Sequence, residues 1–241
     1  MTKNIDATQG GLLRGLFPSG VEAVDDFGDS GPAAAMALHP EEVGLINQVL
    51  AERRREFTTV RGCARLALTA LGLPAAPLLP GHRGAPRWPE GAVGSMTHCQ
   101  GYRAAAVGHA FRFRALGIDA EPDEPLPRAV AAKVMSPEER ARLTRMTSHD
   151  ATIAWDRLLF CVKETVYKVW SPLAGSWLGY EDADVQLRPD GTFTARILVP
   201  ARTADGVRLE GLETLTGRWR AARGLLLSAI ALPNSPRPQG D

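Results

Sequence analysis

From His39 onward, apolar residues return at helical spacing: Val43, Ile46, Val49 and Leu50, then Cys63, Leu66, Ala67 and Ala70. The pattern predicts two helices with a break near residues 57–59, the second stopped by Gly72 and Pro74. Residues 73–91 form a Pro/Gly-dense loop, followed by three short strand candidates, AVGSM, YRAAAVG and FRFRALGIDAE. Residues 122–135 read as a loop leading into a helix. Ser136-Pro137-Glu138-Glu139 is then a capping-box sequence, with Ser136 as N-cap, Pro137 at the first helical position and Glu139 reaching back. The clearest helix is predicted from about residue 151 to 170, where Trp155, Leu158, Leu159, Val162, Val166 and Val169 make an apolar stripe that Pro172 ends. Beyond it the pattern is β: DVQLR and TFTARILV meet at Pro189-Asp190-Gly191, and TGRWRAA and LLLSAIAL meet at Arg223-Gly224. Residues 1 to about 30, rich in Gly, Asp and Ser, read as a partly ordered lead-in, and residues 233–241 as a disordered tail.

Each half of the chain supplies long helices and then short strands. That layout suggests a duplicated α+β architecture, with residues 1–116 and 117–241 as the two halves and a cleft between them. With 241 residues and 44% hydrophobic content the chain can bury a sizeable core. Cys63, Cys99 and Cys161 are too few for a disulfide framework and lack the CxxC pairing of a zinc site, so a reducing cytoplasm fits best. The N-terminus lacks the apolar core of a signal peptide, and no segment approaches the roughly 20 apolar residues of a membrane span. A formal net charge of +1 gives no general attraction to nucleic acid or anionic membrane. Any anion must be held by local clusters.

In GIDAE, strand geometry sends Asp119 and Glu121 to one face and Ala120 to the other. Two neighbouring carboxylates repel unless a cation joins them, and magnesium takes one or two carboxylates together with substrate phosphates. By themselves the two acids fit a solvated strand end at least as well. On the 151–170 helix, Phe160, Glu164 and Lys168 share one face. Glu164 suits a third metal ligand or a general base, and Lys168 suits a phosphoryl oxygen; an ordinary Glu–Lys helix pair explains the same spacing. Only four lysines stand among the 28 basic residues, and two of them, Lys163 and Lys168, lie in CVKETVYK. Thr97 and His98 sit between two strands where a phosphate fits, and ERRREFTTVR offers Arg53, Arg54 and Arg61 as bidentate anion donors or as an exposed basic face.

Taken in order, RRREFTTVR, GAPRWP, GSMTHCQGYRAAAV, LGIDAE and WDRLLFCVKETVYKVW resemble the phosphopantetheinyl transferases of the Sfp/EntD type across residues 50 to 180. The resemblance implies two similar α/β halves in pseudo-twofold arrangement, with coenzyme A in the cleft of a monomer. It implies transfer of the phosphopantetheine arm of coenzyme A to a serine of an apo acyl or peptidyl carrier protein, releasing adenosine 3',5'-bisphosphate. Asp119, Glu121 and Glu164 would then hold Mg2+, with Glu164 also the base and Lys168 assisting the departing phosphate. His98 would contact a phosphate beside Ser95 and Thr97. Arg53 or its neighbour Arg54, with Arg61 and Arg83, would hold the nucleotide end, and Lys163 would be a further coenzyme A contact or a salt-bridging residue.

Family members of this size serve polyketide, nonribosomal peptide and siderophore assembly in secondary metabolism. The alternatives are another magnesium-dependent nucleotide- or pyrophosphate-processing enzyme using the same acids, or a non-catalytic module that binds coenzyme A or a carrier. A carrier would dock on residues 125–146 through Arg128, Lys133, Val134, Met135, Arg142 and Arg145, unless that helix packs on its own domain.

Overall fold

The computed structural model describes residues 11–234. Two antiparallel sheets organise it. The first contains β1 (Val21–Phe27), β2 (Ala92–Cys99) and β3 (Tyr102–His109) in the order β1-β3-β2. The second contains β4 (Phe113–Pro122), β5 (Ala183–Leu187), β6 (Thr192–Ile197), β7 (Thr214–Ala222) and β8 (Leu225–Pro233) in the order β4-β8-β7-β6-β5. The helices are α1 (Pro40–Val43), α2 (Ala51–Ala70), α3 (Arg128–Val134), α4 (Pro137–His149) and α5 (Trp155–Ala174). The chain is thus mixed α/β: α2 packs on the first sheet and α5 on β4 and β8 of the second.

The predicted hairpins are present. β5 and β6 meet at Asp190-Gly191, and β7 meets β8 through Arg223 and Gly224, both at positive φ as a two-residue turn with strand-matching twist requires. The capping box also forms: the Ser136 hydroxyl accepts from the Glu139 N–H, and the Glu139 carboxylate accepts from the Ser136 N–H.

Three expectations are corrected. α2 runs unbroken through residues 57–59, because the Thr58 hydroxyl turns back onto the Arg54 carbonyl at 2.9 Å and leaves the ladder intact; the break falls earlier, between Ile46 and Ala51. α5 begins at Trp155, after an Asp150 side chain that caps Thr152, and passes through Pro172. It ends at Gly175, whose left-handed φ of 64° suits a glycine stop. Residues 11–30 of the lead-in are ordered, residues 1–10 lying outside the described residues: Val21–Phe27 is an edge strand, and Leu12, Leu13 and Leu16 are buried. Its acids hide the strand signal because they serve local backbone, Asp25 accepting from the Leu12 N–H and Asp26 from the Gly31 N–H. Residues 235–241 of the expected disordered tail lie outside the described residues.

β4 is buried on both faces. One packs under α5, and the other, with Ala120, Ile118 and Leu116, joins Leu12, Leu13, Tyr102 and Leu227. The sheets meet where β2 crosses beside β4. There Ser95 and Thr97 hydroxyls accept from the backbone N–H groups of Ile118 and Ala120, at 3.1 and 3.2 Å, replacing a backbone ladder.

Candidate active site

The acids gather around this seam. Asp119 is buried on the α5 side of β4, opposite Ala120, as alternation requires. Its Oδ1 accepts from Lys168 Nζ at 2.8 Å and from Thr97 Oγ1 at 3.0 Å, while its Oδ2 is buried without a hydrogen-bond partner. Lys168 also donates to the Ile118 carbonyl, so this lysine ties the middle of α5 to β4. Glu121 accepts from Arg157 Nη1 at 3.0 Å. Glu164, one turn before Lys168, accepts from the Tyr180 hydroxyl at 2.8 Å. Burial first, and the Asp119 charge second, push the Glu121 carboxyl above its usual range. Burial likewise raises Glu164, against the opposing hydrogen bond from Tyr180. Among the described residues no three His, Cys, Asp or Glu side chains stand close enough together to hold a metal ion: each of these acids rests on a protein donor instead.

A cavity of about 510 Å³ opens beside them, lined by Arg53, Arg61, Arg83 and His98 and, across from these, by Glu164, Tyr167 and Lys168 of α5. Two acids, Glu56 half-buried and Glu42 buried, hold these side chains in place. Glu56 accepts from Arg53 at 3.0 Å and ion-pairs with Arg103 at 3.3 Å, while the imidazole of His98 lies 3.7 Å away and takes a hydrogen bond from Arg53 at 2.5 Å. Glu42, with no exposed surface, takes Arg65, the Leu78 N–H and the His39 N–H, and lies 3.4 Å from Arg61. Burial lowers the Arg61 pKa to about 10, and its guanidinium lies 3.3 Å over the Phe57 ring. His98 is held below its ordinary pKa by burial first and by the Arg53 charge second, so it is neutral at physiological pH.

Not every expected residue reaches the cavity. Arg54 turns to the Ile46 carbonyl, which leaves Arg53 as the member of the pair that faces inward. Ser95 and Thr97 line the wall with hydroxyls already committed to β4. Asp119 and Glu121 lie behind the lining, Asp119 reached through Thr97 and Lys168. Lys163 points away altogether and is buried against Glu139 at 2.8 Å. On the expected docking segment, Val134 is buried and Arg142 is taken by Asp184, leaving Arg128, Lys133 and Arg145 exposed.

Residues 41–108 match the family model of the 4'-phosphopantetheinyl transferase N-terminal domain, and residues 115–221 match that of the 4'-phosphopantetheinyl transferase superfamily. The chain is 49% identical over 222 residues to the 4'-phosphopantetheinyl transferase Svp of Streptomyces mobaraensis, an alignment covering 92% of this chain and 89% of that protein. It is 50% identical to the 4'-phosphopantetheinyl transferase PptT of Mycobacterium tuberculosis over 198 residues, 80% of this chain and 85% of that protein. With the 4'-phosphopantetheinyl transferase Npt of Nocardia iowensis it shares 44% identity over 91% of this chain and 99% of that protein. Such identity along nearly the whole length decides the family. The chain belongs to the 4'-phosphopantetheinyl transferases.

In this phosphopantetheinyl transferase, several residues at the site carried no signal in the sequence. Glu56 and Arg103 stand 47 positions apart and meet only through the fold. Arg157 reaches Glu121 across 36 positions, and Tyr180 reaches Glu164 from beyond the end of α5. Glu56 alone had a local cue, lying three residues after Arg53 on one helix face.

Proposed function

We propose that this transferase attaches the phosphopantetheine arm of coenzyme A to a carrier serine in the 510 Å³ cavity, working as two similar halves around a cleft. The observation that carries this reading is the lining itself. One cavity presents Arg53, Arg61, Arg83 and His98 to an anion and Glu164 with Lys168 to the reacting centre. Residues 1–116 would supply the nucleotide contacts, and residues 117–241 the metal site and the catalytic helix.

Magnesium suits the chemistry of the acids Asp119, Glu121 and Glu164, which would leave their protein donors to close on it. All three are hard oxygen ligands, and the buried, unpartnered Oδ2 of Asp119 is the atom a cation would satisfy. When bound, the ion would neutralise pyrophosphate charge and align the phosphoryl group. Arg53, Arg61 and Arg83 bind the nucleotide phosphate end, and His98, neutral in the free protein, contacts a phosphate. Glu164 takes the proton from the carrier serine hydroxyl as its oxygen bonds to the β-phosphorus of coenzyme A. The phosphorus–oxygen bond to adenosine 3',5'-bisphosphate breaks, and Lys168 balances the charge that develops on that leaving group. Ser95 and Thr97 hold β4 and Asp119 in place. The acceptors are acyl and peptidyl carrier proteins of secondary metabolism, including polyketide, nonribosomal peptide and siderophore assembly, met by a cytoplasmic monomer. Docking would use Arg128, Lys133 and Arg145. None of the helices among the described residues is long and apolar enough to cross a membrane.

The test is direct. Purified protein, coenzyme A and an apo carrier are incubated with magnesium, and the carrier's mass is followed. A gain equal to the phosphopantetheine arm, lost with a chelator and restored by magnesium, is expected. An unchanged carrier removes the transfer reading, and transfer in excess chelator removes the metal.

A further inference from the structure

Glu164 and its neighbour Lys163 face different parts of the molecule. Glu164 lines the large cavity, whereas Lys163, one residue and about 100° earlier on α5, is 4% exposed and lies in the interior. All three Lys163 N–H groups are used: the ammonium donates to Glu139 Oε2 at 2.8 Å, to the Val134 carbonyl at 2.9 Å and to the Tyr180 carbonyl at 2.6 Å. Glu139, 1% exposed, is equally saturated, accepting also from the Ser136 and Val185 N–H groups. One buried ion pair therefore joins the end of α3, the start of α4, the middle of α5, the turn at Tyr180 and the edge strand β5.

Tyr180 closes the circuit. Its carbonyl is gripped by Lys163, and its hydroxyl donates to Oε1 of Glu164. Its ring also packs on Phe160, one turn before Glu164, at 5.9 Å between centroids. A second, small cavity of about 60 Å³ is bordered by Tyr180, Trp177, Glu164 and Tyr167, and the last two also line the large cavity, so together they form the wall between the two spaces. The phenol fixes the Glu164 carboxylate at this wall. Well-packed apolar residues stabilise a fold as well as a buried ion pair does, so stability alone gives no reason for Lys163–Glu139 at this place.

We propose that Tyr180 is a positioning residue for the transfer reaction, fixing the Glu164 carboxylate at the wall of the large cavity, and that the Lys163–Glu139 pair holds Tyr180. The inference rests on the reading of Glu164 as the base. Only one carboxylate oxygen is engaged by the phenol, which leaves the other unpartnered by the chain for the metal and the carrier serine. Lys163 acts through the backbone of Tyr180 and touches no substrate.

Tyr180→Phe removes one hydroxyl and keeps the ring on Phe160. Its kcat is expected to fall about tenfold or more, the loss of a hydrogen bond to a charged group. The KM for coenzyme A, calorimetric coenzyme A affinity and Tm should stay at wild-type values. In a Glu164→Gln background the same substitution should change nothing further, because Tyr180 acts through Glu164. Replacing the pair by amides, Lys163→Gln with Glu139→Gln, should lower kcat similarly and show no added loss when combined with Tyr180→Phe. Wild-type kcat in Tyr180→Phe overturns the proposal, and a loss that multiplies with the amide pair overturns the link to Lys163. Should Glu164→Gln itself retain full transfer, the role of Glu164 falls, a result separate from wild-type behaviour of Tyr180→Phe beside an inactive Glu164→Gln.

Discussion

On the α2 side of the cavity, cations face the opening and acids stand behind them: Glu56 behind Arg53 and His98, Glu42 behind Arg61. On the α5 side the order is mixed: Glu164 and Lys168 face the opening, and Asp119 and Glu121 lie behind them. Lys168, Arg157 and Tyr180 hold Asp119, Glu121 and Glu164 respectively. The difference lies in what is left over. Glu42 has partners on both oxygens, so its charge is fully taken up within the chain. Asp119 keeps one buried oxygen with none. On the α2 side the spare buried atoms are mainly arginine donors, the Nε groups of Arg61, Arg65 and Arg103, so that side can receive an anion. The α5 side lacks one positive partner and can receive a cation. A charged substrate carrying its own metal, as proposed, would meet both needs at once.

Removing the base is the harshest way to break this comparison. Glu164→Gln is expected to lower kcat by roughly two to four orders of magnitude with coenzyme A binding nearly unchanged, as loss of a general base does. Single-turnover transfer to an apo carrier, beside calorimetric titration with coenzyme A, measures the two effects separately. Full turnover would leave the α5 acids with no part in the chemistry.

Glu42 is the matching position on the other side, where the expected damage is to the fold. Glu42→Ala leaves Arg61 and Arg65 buried without their counter-charge and should cost about 3–5 kcal/mol. At about 2–4 °C per kcal/mol for a chain of this size, the melting temperature should drop clearly. An unchanged Tm would mean that the α2 cations need no acid behind them.

Arg53→Ala sharpens the comparison further. It should raise the KM for coenzyme A about tenfold or more and leave kcat near wild type, since a phosphate grip made equally in ground and transition states affects binding alone. A fall in kcat with KM unchanged would move Arg53 to the reacting centre.

The smallest expected effect is on pH. Burial and Arg53 hold His98 below its usual pKa, and a phosphate beside it would pull the value up. Binding then takes up a proton, so coenzyme A affinity should increase as pH falls from about 7.5 toward the ordinary histidine value near 6.5. Because the phosphate also titrates, the measure is the excess over His98→Ala, whose affinity should vary less across the same range. Parallel curves for the two proteins would place His98 away from the phosphate.

Much of this site was legible in residue order. Alternation in GIDAE put Asp119 and Glu121 on one face, and helical spacing put Glu164 and Lys168 on another; both arrangements hold. The capping box at Ser136 and the Arg223-Gly224 turn were legible for the same reason: each is made by residues within three or four positions of one another. β1 was missed because its acids break the alternation, and the end of α5 was misplaced because Pro172 is tolerated in a last turn that Gly175 closes.

The chain by itself determined which side chains share a face, since backbone geometry repeats every 2 or 3.6 residues. Only the tertiary structure decided which charges face one another. Lys163 stands beside Glu164 in sequence yet serves Glu139, 24 positions away, and Lys168 passes over Glu164 on its own helix to pair with Asp119, 49 positions away. The physical reason is desolvation. A buried charge must take whatever partner the packed interior brings within reach, and no local period records that choice.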